Sequence, residues 1–264
     1  MRWLHTPLLR ASALLHGLAL LLLVLRPALW PWLLGVVIMD HLLLAALGLW
    51  PRSRALGSNY TRLPARAIAR NEVAITIDDG PDPEVTPQVL QLLAQHGVQA
   101  TFFCIGRQVE QHPELVRAIV AGGHEIANHT QRHPLYFSLL GPARQRAEIE
   151  AAQRAIAAAG GTRPQFFRAP AGLRNLLLQP VLQQLELRLV SWTRRGFDTV
   201  NSSAESVLAA LTRKLRSGDI LLLHDAHAAR TADGSPVIIA VLPALLATLR
   251  RSGLRPVTLR AAFA

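Results

Sequence analysis

The chain has 264 residues, of which 50% are hydrophobic and 17% charged, with a formal net charge of +11. That composition excludes an intrinsically disordered polypeptide and allows one domain of ordinary size plus an appendage. Nucleic acid is excluded as a partner by where the charge sits: of 28 basic and 17 acidic residues, Arg2, Arg10, Arg26, Arg52, Arg54, Arg62, Arg66 and Arg70 stand against the single acid Asp40 in residues 1–70. The excess flanks two apolar runs, is almost all arginine, and forms no basic stripe on one element.

The first apolar run, Ala11 to Leu25, has no formal charge and reaches about twenty residues when counted from Thr6, enough to cross a bilayer if Arg10 snorkels. Arg26-Pro27 breaks it. A second run follows from Ala28 to Trp50, with Trp30, Trp32 and Trp50 near its ends and Asp40-His41 inside it. A cleaved signal peptide is the competing reading, but no small-x-small site precedes Arg26-Pro27. Residues 1–50 therefore read as an uncleaved helical hairpin that anchors the chain in a lipid bilayer. Arg2, Arg10, Arg52 and Arg54 flank its outer ends and only Arg26 its inner loop. The positive-inside rule then places the rest of the chain on the cytoplasmic side of a bacterial inner membrane. A single span would send it to the periplasm, and both topologies stay open at this point.

Residues 51–70 read as a juxtamembrane linker, and residues 71–264 as one domain. Within it, strands are predicted at Val73–Ile77, Ala100–Cys104, Glu125–Ala127, Phe166–Arg168, Leu187–Ser191, Ile220–Leu223 and Pro256–Leu259. Helices are predicted at Thr86–His96, Pro113–Ala121, Arg144–Ala159, Asn175–Leu185, Ser203–Leu215 and Val237–Arg251. This alternation predicts an α/β fold with a mainly parallel sheet, open or closed into a barrel. Chemistry in such folds gathers at the carboxyl ends of the strands. The lone cysteine, Cys104, excludes an internal disulfide and reads as a buried thiol. Asn59-Tyr60-Thr61 and Asn128-His129-Thr130 match the glycosylation sequon, a pattern too short to carry weight.

Five strand ends carry the polar chemistry. Val73–Ile77 runs into Asp78-Asp79-Gly80-Pro81, where two adjacent carboxylates would repel unless a metal or a proton intervenes. His129 and His133, one helical turn apart after the third strand, can face one point. With Asp79 they make a two-His, one-carboxylate set that suits a divalent metal with positions left open. Arg168 ends the next strand and can pair with a catalytic carboxylate; Pro170-Ala171-Gly172 follows as a turn with backbone N–H groups to offer an oxyanion. Asp198 is the only acid of its stretch, and His224 ends the apolar run Ile220–Leu223, a position suited to a general acid.

In this order and spacing the five segments resemble the polysaccharide deacetylases, the NodB-homology enzymes of carbohydrate esterase family four, over residues 71–260 or so. The resemblance implies a distorted (β/α) barrel and metal-assisted removal of N- or O-acetyl groups from glycans. It implies Asp78 as the catalytic base, Asp79, His129 and His133 as metal ligands, Arg168 as the residue orienting the base, and His224 as the acid tuned by Asp198. Pro170, Ala171 and Leu222 are implied as substrate contacts, with Leu222 lining the acetyl pocket. The metal implied is zinc, with cobalt, nickel or manganese as alternatives. Two residues depart from the family pattern: Ala171 stands where an aromatic is common, and Thr199 where a Trp is common. Both normally wall the sugar groove, so a small or lipid-linked amino sugar is expected beside an extended glycan. The rival class is a catalytically silent binding or scaffold protein of an envelope polysaccharide assembly complex.

Overall fold

The longest strand among the described residues organises the sheet. In the computed structural model, which describes residues 6–264, strand β1 (Glu72–Asp78) is buried along its whole length. Residues 1–5 lie outside the described residues, and with them the expected contribution of Arg2. Strands buried on both faces are typical of parallel sheets covered by helices. Val73, Ile75 and Ile77 are fully buried, each contributing about 1.5–3 kcal/mol by burial.

The other strands are β2 (Thr101–Cys104), β3 (Glu125–Asn128), β4 (Phe166–Phe167), β5 (Arg188–Leu189), β6 (Arg194–Arg195), β7 (Ile220–His224) and β8 (Arg255–Pro256). All pair in parallel in the order β5-β4-β3-β2-β1-β7-β6, with β8 beside the start of β1. The sheet curls but does not close: among the described residues β5 and β6 do not pair. Residues 60–63 stitch that seam. Tyr60 N–H donates to Leu189 O, Ser191 N–H to Tyr60 O, and Leu63 N–H to Gly218 O. The register places Asp78 level with both Phe103 and His224, so the polar strand ends share one edge.

The expected helices Pro113–Ala121 and Val237–Arg251 have those limits. Three predicted strands end early, Leu187–Ser191 being strand only at Arg188–Leu189. Phe166–Arg168 is ladder only at Phe166–Phe167, and of Pro256–Leu259 only Pro256 is strand. There the Thr258 hydroxyl accepts from Ala261 N–H and caps the helix Leu259–Phe263. β6 and the short helices Ala65–Ala69 and Gly106–Gln111 have no counterpart among the predicted elements. Residues 51–71 lie against the sheet, with Leu63 and Ala67 buried and Arg62 paired to buried Asp219 at 2.7 Å.

The N-terminal helices α1 (Pro7–Leu25) and α2 (Trp30–Gly48) turn at Arg26–Leu29 and expose most of their apolar side chains. Both are long and apolar enough to cross a membrane. Between them the Ser12 hydroxyl donates to Asp40 Oδ2 at 2.6 Å, and the His16 and His41 rings meet edge to face at 5.2 Å. Asp40 thus joins the helices to each other. At the base of the hairpin Leu9 and Leu44 pack with Leu56, and Leu176 of the sheet domain packs against them. Arg174 N–H donates to Gly48 O, and the buried Arg174 guanidinium donates to Ser53 O, Gly57 O and Ser58 O. Burial lowers this arginine to about 10. The two sequon asparagines are both buried, Asn59 donating to Pro51 O and Ser53 O, Asn128 to Ile149 O.

Candidate active site

Beyond β1 the chain leaves the ladder at once. Asp79 has φ of 80°, which takes the backbone out of the extended strand conformation at the sheet edge. The next residue must be glycine, because a Cβ on Gly80 would run into the buried Asp225 carboxylate. Asp225 in turn accepts from the Thr86 hydroxyl at 2.6 Å and from Ala226 N–H; burial pushes its carboxyl up to about 7.

His129 and His133 reach the same place, though not along a helix. The segment after β3 is an irregular turn in which Thr130 and His133 have positive φ. Asn128 holds it by accepting from Thr130 N–H, and the Thr130 hydroxyl accepts from His133 N–H. The one-turn helical spacing read from the sequence is therefore replaced by a backbone loop that converges the rings, with centroids 4.7 Å apart.

Two imidazole nitrogens meet at one buried oxygen. Asp79 Oδ1 lies 3.3 Å from His129 Nε2 and 3.4 Å from His133 Nε2, and it has no hydrogen-bond partner. His129 Nδ1 is 2.8 Å from the Arg168 carbonyl. A carbonyl only accepts, so Nδ1 carries a proton and Nε2 is the nitrogen left to face a cation. Two imidazole nitrogens converging on a carboxylate oxygen that has no hydrogen-bond partner fit a divalent cation of the zinc type. Charge agrees with geometry. Burial disfavours charge on Asp79, yet His129 and His227 hold it well below the usual carboxylate range. His133 is pushed down to about 4 by burial and by its neighbour His129, which leaves it a neutral ligand.

Asp78 stands beside this group, its Oδ2 3.7 Å from His129 Nε2. Its other oxygen accepts from Arg168 Nη1 at 2.5 Å. Arg168 is fully buried, donates also to Thr76 Oγ1, Val190 O and Ser191 O, and stacks on Phe103 at 4.0 Å. All three guanidinium nitrogens donate, which lets a buried guanidinium persist. Across the pocket, Asp198 accepts from His224 Nδ1 at 2.9 Å and from His224 N–H at 2.7 Å. Burial works against protonating His224, but Asp198, together with Asp78 and Asp79, outweighs it and the imidazole is raised above its ordinary value.

A cavity of about 750 Å³ opens over these groups, lined by Asp78, Asp79, His129, His133 and His224 and walled by Ala171, Leu222 and Trp192. Arg168, Asp198 and Pro170 are buried behind it. His227 was not singled out by the sequence reading; its Nδ1 lies 3.4 Å from Asp79 Oδ2. Its signal was spacing, since a histidine three residues beyond a strand-ending His224 still reaches the same edge. Cys104 is buried, and its thiol is raised far above the usual range by burial.

A curled parallel α/β sheet with this pocket at its carboxyl edge defines a half-barrel protein whose site can hold a divalent cation. The polysaccharide deacetylase family model matches residues 66–190. A chitooligosaccharide deacetylase of Bradyrhizobium is 38% identical over 174 residues, covering 62% of this chain and 79% of that one. A peptidoglycan-N-acetylglucosamine deacetylase of Bacillus cereus is 36% identical over 195 residues, covering 72% and 88%. The solved family 4 carbohydrate esterase of Streptomyces lividans superposes with a TM-score of 0.64 at 36% identity, covering 70% of this chain and 91% of that one. The chain belongs to the polysaccharide deacetylase family, and its fold is the distorted barrel of that family.

Proposed function

We propose that the protein is a membrane-anchored, metal-dependent deacetylase that hydrolyses N-acetyl or other N-acyl groups of an amino sugar in a glycan or lipid-linked saccharide. The observation that carries this reading is the convergence of His129 and His133 on the unpartnered Asp79 oxygen, with Asp78 and His224 flanking it. Relatives named as chitooligosaccharide and peptidoglycan deacetylases support the substrate class.

Asp79, His129 and His133 would hold the metal, most simply zinc. Bound there, such an ion supplies Lewis-acid polarisation of the acyl carbonyl and a more acidic water. Asp78, with Oδ1 tied to Arg168, has Oδ2 free to take the proton of the attacking water. Ala171 has φ of 53° and lines the cavity; its N–H donates to no protein acceptor among the described residues, so it is available to the tetrahedral oxyanion. His224, fixed through Nδ1 by Asp198, presents Nε2 to protonate the departing amine, leaving acetate and a free amino sugar.

Asp78→Asn should cut turnover by roughly two to four orders of magnitude while zinc remains at one equivalent by elemental analysis. His129→Ala should lose both. Full activity in Asp78→Asn refutes the assignment.

A further inference from the structure

The mouth of the catalytic groove and the base of the hairpin form one continuous surface. Three successive residues make the junction. Arg174 N–H bonds Gly48 O at the end of α2, and Leu176 packs into the cluster of Leu9 and Leu44. Between them Asn175 donates to Ser138 O and Leu140 O. The loop 134–140 is thereby held at the point where the helices end. On the other flank, a Cβ on Gly172 would meet both Pro51 and Trp192, and Arg52 donates to Thr193 O. The cavity wall made by Gly172 and Trp192 thus backs directly onto the residues that follow α2.

The side chains around this mouth are unusual for a solvated rim. Leu135, Tyr136 and Leu139 are 74%, 62% and 82% exposed, and Phe197 and Val200 are 54% and 81% exposed. Exposed Leu49 and Trp50 extend the same apolar character to the end of α2. Large apolar side chains exposed on several loops around one mouth mark a surface that meets something apolar, and tryptophan favours the bilayer interface. The cavity lining also holds Arg107, Arg132 and Arg195, whereas its only acids among the described residues are the catalytic Asp78 and Asp79. Arg132 lies 3.9 Å from Glu148, whereas Arg107 and Arg195 form no ion pair among the described residues.

We propose that these rim loops seat the mouth of the groove on the bilayer that the hairpin spans, so that the site takes an acylated amino sugar carried on a phosphate-bearing lipid. This rests on the deacetylase reading for the chemistry and on the hairpin for the tether. The apolar rim enters the headgroup boundary. The three arginines meet the lipid's phosphate, and the small Ala171 and Thr199 leave room for a short sugar where an extended polymer would want aromatic walls.

The test uses the full chain in vesicles of phosphatidylethanolamine and phosphatidylglycerol. Cys104 is buried, so Leu139→Cys can carry a polarity-sensitive fluorophore selectively. Spin-labelled lipids should quench it, and should not quench a label on Ser252→Cys, which follows the helix Val237–Arg251 at the amino-end face of the sheet. In parallel, kcat/KM of Leu139→Ser/Val200→Ser is compared with wild type on two substrates. On N-acetylglucosamine linked to a polyprenyl diphosphate in the vesicles it should fall about tenfold. On a water-soluble chitooligosaccharide it should change less than about twofold. A label at position 139 that stays in water, or an equal loss on both substrates, overturns the proposal. Should wild type hydrolyse neither substrate, the deacetylase reading fails, and the quenching alone decides whether the mouth is seated on lipid.

Discussion

In the proposed mechanism the two protons are handled by residues held in different ways. Asp78 is fixed by an ion pair to a guanidinium whose other N–H groups are spent on carbonyls and a hydroxyl. His224 is held by a carboxylate that takes both its ring Nδ1–H and its backbone N–H. The second arrangement sets the working pH. Burial alone would strip the proton from His224, and Asp198 keeps it on to higher pH. A general acid works only while protonated, so the basic limb of the kcat/KM profile reports this group. Asp198→Asn removes the raising influence. His224 then loses its proton at lower pH, the basic limb moves to lower pH, and kcat/KM at pH 8 falls on the order of tenfold or more. A pH–rate profile whose basic limb stays in place would show that His224 is not the acid.

Between elements, the decisive feature is a turn. The strand β1 and the helices Pro113–Ala121 and Val237–Arg251 were legible because burial imposes a period on sequence. The strand-end positions of Asp78 and His224 followed, since parallel sheets present their carboxyl ends to one face. The turn after β3 was not legible, because positive φ at Thr130 and His133 leaves no periodic trace. Nor was β6, whose two residues Arg194-Arg195 are ladder only by virtue of lying beside β7. The turn after β1 is similar in kind: Gly80 was visible in sequence as turn chemistry, but only the fold shows Asp225 pressed against it. Gly80→Ala therefore forces either the Asp78-Asp79 backbone or the Asp225 carboxylate to move. Displacing the catalytic carboxylates by about 1 Å is worth on the order of 100-fold in rate, and the crowding costs roughly 1–3 kcal/mol of stability. Measured kcat/KM and denaturant midpoints should both fall; wild-type values for both would show that the turn tolerates a Cβ.

For the whole molecule, the proposed membrane anchoring makes the orientation of the hairpin decide which substrates the groove meets. Both helix ends that join the sheet domain lie at the Leu9 and Leu44 cluster, so α1 and α2 leave and return on one side. Two apolar helices joined by a tight turn at Arg26–Leu29 support a re-entering pair over a single span. Arg10, Arg52 and Arg54 lie towards the domain side and Arg26 towards the turn. Short flanks rich in arginine are retained in the cytoplasm, so we propose that the catalytic domain faces the cytoplasm, where a lipid-linked amino sugar is within reach and a polymer beyond the membrane is not. The four-residue joint Arg26–Leu29 has only one arginine to oppose that preference. A C-terminal fusion to a fluorescent protein that matures only in the cytoplasm should be bright, and the same fusion to a phosphatase active only in the periplasm should be silent. The opposite pattern would mean that one helix alone spans, and would return extracellular glycans to the substrate list while leaving the seating of the groove on the bilayer intact.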